Sequence, residues 1–354
     1  MTFYLAQVIN SPVFTVQYIY GEKNVTSAKE QIKNRVTVKK SLDLIETSLN
    51  EEIITRFDFT YVTQTSAERM YYFPELLLRW PGEFSVAIYV TGDIVESTKQ
   101  YMNSIQLPSR FHVVYLQRNI TNEYPINTLR NMAIKGVLTS HFWLTDMDMW
   151  PSPNLYDTLH ELPDTEKENK KLAVIVPAFQ YNKFRGVCRG FNDCPAAMSK
   201  RIPQNKTELN ACLEIFHCET FRPKQHLHDY YFPDWYKPDY NKLLTQVTCF
   251  KGQRQEPYVV VRKHNRMPMF DERFMNYGYN KVQWLEHLRY IGYRFKVLTK
   301  AFAIDIPHAK SQFQASYVNE IYVKNNSNVT VNVLYSDFIR ELKQKPDRSV
   351  IKYC

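Results

Sequence analysis

The stretch HFWLTDMDMW, residues 141–150, decides how this chain is read. Five largely apolar residues run straight into two aspartates, Asp146 and Asp148, one residue apart. In an extended segment residues two apart share a face, so the two carboxylates stand side by side. Like charges that close call for a proton, a basic partner or a cation. An Asp-x-Asp triplet arises by accident about once in two chains of this length, mostly in solvated loops. This one closes an apolar strand, and open α/β sheets bind ligands just beyond the carboxyl ends of their strands. Manganese and magnesium favour carboxylate oxygens, which makes Asp146 and Asp148 candidate metal ligands. Strand-end carboxylates contribute little to a core, so replacing either is expected to leave the fold intact.

Upstream, FDFTYVT (57–63), FSVAIYV (84–90) and FHVVYLQ (111–117) read as strands. Thr65 with Glu68 resembles a capping box, although Pro74 interrupts the helix it would open. Asp93 with Glu96 caps a helix running to about Leu107. Pro125 stands at the first helical position, and Ile126, Leu129, Met132, Ala133 and Val137 mark one helical face. With HFWLT as fourth strand, the alternation implies a parallel α/β sheet. Downstream, Ser152 and Pro153 start a helix, LAVIVPAF (172–179) reads as one strand, and residues 180–255 show little periodicity. PYVVVRK (257–263) restores a strand, a helix over Lys281–Ile291 ends at Gly292, and FKVL (295–298) and AFAIDI (301–306) close the fold. The organisation expected is a lead-in over residues 1–55 and one catalytic domain over 56–345, with an irregular, cysteine-bearing insertion at 180–255.

With 354 residues and 44% apolar content the chain can bury a large core. Its net charge of +9 is scattered and suits an anionic substrate. No basic helix, zinc-finger spacing or aromatic RNA-binding motif points to nucleic acid. The cysteines Cys188, Cys194, Cys212, Cys218, Cys249 and Cys354 form no C-x-x-C pair, and their grouping points to disulfides pinning the insertion. Asn24, Asn119, Asn205, Asn325 and Asn328 each begin an N-x-S/T triplet, which leans towards a secretory lumen. The N-terminal MTFYLAQVINSPVFTVQYIYG is neither a good signal peptide nor a good membrane span. Rival chemistries lack their motifs: no G-x-G-x-x-G follows the first strand, and there is no Walker A loop or G-x-S-x-G elbow. His226 and His228 read as surface residues rather than ligands.

Seven blocks carry a resemblance in order: VTQTS (62–66), YPINTLRNMA (124–133), FWLTDMDMWP (142–151), VIVPAF (174–179), EPYVVVR (256–262), FDERFMNYGYNKV (270–282) and IPHA (306–309). The series, over roughly residues 56–320, resembles the family 49 glycosyltransferases, the group of the β-1,4-glucuronyltransferase and of the second catalytic domain of LARGE. The resemblance implies a GT-A fold, with a Rossmann-like half for the nucleotide sugar and a DxD pair holding manganese, or magnesium, on the donor diphosphate. It implies inverting transfer of glucuronic acid from UDP-glucuronic acid, through a β-linkage, to a glycan or glycoprotein acceptor. It also implies a Golgi lumen and a type II membrane anchor, for which this sequence offers no clear segment. Arg130 then becomes a donor contact together with Asp146, since guanidinium pairs well with phosphate or carboxylate. Thr63 and Gln64 become uridine contacts. Inversion needs a general base, and Asp271 and Glu272 are the candidates, before a turn whose Tyr277 and Tyr279 suit sugar rings. The family's third metal ligand, a histidine, falls at Asp305, with His308 three residues on; either can complete the site. Two rivals remain: β-1,3-N-acetylglucosaminyl transfer, and a silent glycan-binding or scaffold protein of the same fold.

Overall fold

The computed structural model describes residues 15–19, 56–92, 94–118, 123–182, 193–308 and 329–354. Five parallel strands form one half of a nine-stranded sheet: β1 (Thr15–Ile19), β2 (Arg56–Ser66), β3 (Glu83–Thr91), β4 (Phe111–Arg118) and β5 (Thr139–Leu144), in the order β1-β4-β3-β2-β5. β5 is buried from end to end and β3 along all but its terminal residues. Cover on both faces is what a parallel sheet requires, and it makes these strands read as unbroken apolar runs. β1 lies within the stretch assigned to the lead-in and pairs with the sheet's edge.

The connections are α1 (Phe73–Arg79), α2 (Val95–Ser104) and α3 (Ile126–Lys135). The capping box at Thr65 does not form. A 3-10 turn over Ala67–Tyr72 follows the strand instead, the Ser66 hydroxyl meets Glu68, and Pro74 sits in the first turn of α1, where no N–H is needed. α2 has Ile94 at its N-cap and ends at Ser104 rather than near Leu107; Asp93 lies outside the described residues. α3 buries Leu129 and Ala133 as its pattern requires, but also Asn127, Arg130 and Asn131. That polar face turns towards the site.

After β5 come β6 (Met149–Pro151), α4 (Leu155–His160), α5 (Asp164–Lys167), β7 (Leu172–Val176) and β8 (Ala178–Tyr181). LAVIVPAF is therefore two strands in two sheets. Pro177 has no N–H for a ladder, and the chain changes sheets there. The supposedly irregular 180–255 holds α6 (Asp193–Ser199), α7 (Lys206–Glu214), β9 (Cys218–Thr220), β10 (Leu244–Gln246) and β11 (Cys249–Phe250). Then follow β12 (Tyr258–Arg262), α8 (Val282–Tyr290), β13 (Arg294–Leu298), β14 (Ala303–Asp305), α9 (Val329–Lys343) and β15 (Lys352–Tyr353). The large sheet continues β5-β12-β7-β13-β10, with β12 antiparallel to both neighbours. A second sheet, β6-β14-β8-β9, covers the carboxyl end of β5. α8 ends as expected, with Gly292 at φ +94°.

Among the described cysteines, Cys212 bonds Cys218 and Cys249 bonds Cys354. The first closes a turn inside the insertion. The second ties β11 to the C-terminal β15 across 105 residues. Closing so long a loop restricts the unfolded chain most, so Cys354→Ser should cost about 2–4 kcal/mol and Cys212→Ser less. Thermal denaturation of the two variants checks this; equal losses would contradict it. Among the described residues no helix is long and apolar enough to cross a membrane.

Candidate active site

The chain leaves β5 at Leu144, carries Asp146 and Asp148 through a tight turn, and enters β6. β6 pairs antiparallel with β14, Met149 opposite Asp305, and the Ile306 amide donates to the Asp148 carbonyl at 3.0 Å. Asp305 therefore arrives beside Asp148 by sheet register, and His308 follows within one turn of chain. One ligand atom from each of Asp148, Asp305 and His308 lies within 4.8 Å of the others. His308 Nε2 is 2.8 Å from Asp148 Oδ2, and Arg69 Nη1 donates to the same oxygen at 2.7 Å. Both Asp305 and His308, left as alternatives by the sequence, thus join one cluster.

Its electrostatics point to a cation. Burial would raise the Asp148 carboxyl, but Arg69 and then His308 hold it well below the usual carboxylate range. At Asp305 the balance tips the other way: burial first, and the Asp148 charge second, outweigh His308, Arg222 and Arg69 and push its pKa up to about 7. Two carboxylates and an imidazole make a donor set suited to manganese or magnesium, so the residues fit a divalent ion. A metal must displace the Asp305 proton. Divalent-cation affinity should therefore rise from pH 6 through 7, by about tenfold per pH unit for each proton displaced. It should go on rising until His308 is deprotonated too, since burial works against its charge but Asp148 holds it above the ordinary imidazole range. Calorimetric titration with manganese across that range checks the sign; affinity that falls with pH would contradict it.

Asp146 stands apart from that cluster. Its Oδ1 accepts from Arg130 at 3.2 Å, and its Oδ2 from Lys281 at 3.0 Å and from the Tyr258 hydroxyl at 2.7 Å. Arg130 and Lys281 are almost fully buried, at 3% and 6% side-chain exposure. Burial disfavours the Asp146 carboxylate, yet Lys281 and Arg130 keep it ionised far into acid. The expectation that this aspartate is dispensable to the fold fails on this geometry, because it neutralises two buried cations. Arg130 also donates to Asn127 and Asn280, so one guanidinium joins α3, the DxD turn and the 270–281 segment.

The remaining candidates divide. Thr63 is buried near the end of β2, and its hydroxyl has no hydrogen-bond partner among the described residues. Gln64 is engaged, its Oε1 accepting from the Tyr124 hydroxyl. Asp271 is chelated by Arg273, whose Nη2 lies 2.6 Å from Oδ2 and which also pairs with Glu341. Glu272 is exposed and, among the described residues, meets neutral donors alone, Asn131 Nδ2 at 2.8 Å and the Thr128 hydroxyl at 3.0 Å. Tyr279 stacks on Tyr335 at 4.3 Å with the Arg254 guanidinium 5.1 Å from its centroid, so its ring is already occupied. His228 is not a surface residue. It is 3% exposed, stacked against Tyr258. Arg69, Lys281 and Tyr258 were not singled out from sequence, although Lys281 and Tyr258 stand inside the quoted blocks.

The family model described as "Glycosyl-transferase for dystroglycan" matches residues 58–121 and 109–345. The chain belongs to that family. Among curated relatives, the Gallus gallus "Xylosyl- and glucuronyltransferase LARGE2s" is 30% identical over 84% of this chain, and the Homo sapiens "Xylosyl- and glucuronyltransferase LARGE1" is 28% identical over the same share. The chain spans 38% and 37% of their lengths. Among solved structures, GalNAc-T7 with UDP, GalNAc and Mn2+ matches 72% of this chain and 45% of its own at 8% identity and TM-score 0.44. A family of glycosyltransferases and a parallel half-sheet with a second sheet after its DxD turn agree with the GT-A expectation.

Proposed function

We propose that the chain is an inverting, divalent-cation-dependent glycosyltransferase that moves glucuronic acid from UDP-glucuronic acid to a glycan acceptor. The observation that carries the reading is the Asp148–Asp305–His308 cluster beyond the carboxyl end of β5. A cation held there would neutralise charge on the departing diphosphate. Thr63 and Gln64, near the carboxyl end of the neighbouring β2, suit the nucleoside. Arg130 and Lys281 hold Asp146, and through it the turn, in place. Glu272 suits the base: its carboxylate takes the acceptor hydroxyl's proton while that oxygen bonds to the anomeric carbon. The carbon–oxygen bond to the diphosphate breaks, and UDP leaves with the electron pair. The two disulfides and the exposed sequon at Asn205 support a secretory lumen.

The test is a panel of UDP-sugars incubated with the protein and manganese, followed by thermal stabilisation and UDP release. UDP-glucuronic acid should stabilise most and be turned over. Stabilisation by UDP-N-acetylglucosamine instead would move the donor assignment to the rival sugar. Binding without turnover of any donor, acceptors included, would leave a silent glycan-binding protein.

A further inference from the structure

Each cation in contact with the aspartates of the site has a partner there. Arg69 and His308 hold Asp148, and Arg130 and Lys281 hold Asp146. Arg222 stands close by, and among the described residues no carboxylate forms an ion pair with it. Its guanidinium lies 4.9 Å from the Phe221 ring. Phe221 is 6.0 Å from Tyr258, whose hydroxyl donates to Asp146. The side chain is exposed, so a ligand can reach it.

Its backbone is built rather than loose. Arg222 adopts φ 49°, ψ 54°, a left-handed conformation that a residue with a Cβ holds only when its surroundings impose it. Pro223 disfavours it further. What imposes it is the second sheet. The Phe221 amide donates to the Ala178 carbonyl at 3.0 Å, and the Arg222 amide to Gln180 Oε1 at 2.9 Å. Gln180 pairs with Asp305 on one side and Glu219 on the other, and the Cys212–Cys218 disulfide closes the start of β9. Arg222 is thereby fixed to β8, the strand paired with the Asp305-bearing β14. Desolvation by its neighbours works against its charge, but Tyr258, Glu256, Asp305 and Asp146 more than offset that and raise its pKa.

We propose that Arg222 reads the carboxylate of the transferred sugar, so that the site takes a uronic acid in preference to the neutral hexose. The inference rests on the glucuronyl reading above. A guanidinium grips a carboxylate through paired, parallel hydrogen bonds that no hydroxymethyl group can match. A cation held by Asp148, Asp305 and His308 would supply the diphosphate's counter-charge. A sugar carboxylate, by contrast, would enter beside three aspartates, and without a cation of its own it would be repelled.

Calorimetric titration of UDP-glucuronic acid, UDP-glucose and UDP, all with manganese, separates the possibilities for the wild type, Arg222→Gln and Arg222→Lys. Arg222→Gln should weaken UDP-glucuronic acid by about 10- to 100-fold, the range for a charge-assisted contact, while UDP-glucose and UDP shift by less than about threefold. Arg222→Lys should fall between, keeping the charge but not the fork. Equal weakening of UDP itself would make Arg222 a diphosphate contact and overturn the proposal. So would a wild type that prefers UDP-glucuronic acid alongside an Arg222→Gln variant that keeps the preference. A wild type indifferent to the carboxylate overturns the donor reading itself, and the inference with it.

Discussion

Asp148→Asn should abolish cation-dependent donor binding and lower turnover by about 10³-fold or more, the rate equivalent of the several kcal/mol a bound Lewis acid supplies. The fold should tolerate the change. With the Asp148 charge gone, Asp305 loses the neighbour that helps push its pKa up. It can then ionise and serve as counter-charge to His308 and Arg69. Asp146→Asn should behave in the opposite way. It leaves Arg130 and Lys281 buried with no anion, which costs about 3 kcal/mol, the low end for breaking a buried pair because Asp146 is a quarter exposed. For a chain of this size that lowers Tm by roughly 4 °C. Adding Lys281→Met to Asp146→Asn should recover part of the loss, since one uncompensated charge is gone. Manganese titration and thermal denaturation of the same three proteins read both effects. An Asp146→Asn variant with unchanged Tm would sink the clamp assignment.

The second large effect concerns the base. Glu272→Gln should lower turnover by about 10²–10⁴-fold with little change in UDP affinity, as general-base loss does. Asp271→Asn should do less to chemistry, because the Asp271 carboxylate is already chelated by Arg273. That residue joins α9, through Glu341, to the 270–281 segment. Single-turnover rates at saturating donor and acceptor separate the two. If Asp271→Asn is the slower enzyme and Glu272→Gln is near normal, the roles are reversed.

How far the sequence could be read follows from which forces act locally. β3 and β5 were legible because each is buried along nearly its whole length and reads as a largely apolar run, and β2 and β4 because aromatic and β-branched residues recur along them. The sheet change at Pro177 was not, since β7 and the start of β8 are equally buried and nothing in the apolar pattern marks the break. The short elements of 180–255 carry too few residues to show a period, and their positions depend on cross-links and on sheet partners distant in sequence. At the site, the neighbouring aspartates and their strand-end location were readable from spacing alone. Their division of labour was not. Asp148 meets Asp305 through the register of β6 with β14, and Asp146 meets Lys281 across 135 positions. His228 shows the same limit: a polar loop motif says nothing of the Phe221 and Tyr258 rings that enclose it.

The most direct measurement is binding of UDP-glucuronic acid to the wild-type chain by calorimetry, with manganese and then with a chelator in excess. Binding that appears with manganese, vanishes with the chelator and is absent in Asp148→Asn is the expected result. Equal affinity with and without the cation, or full metal-dependent binding by Asp148→Asn, would contradict a metal site built on Asp148, Asp305 and His308.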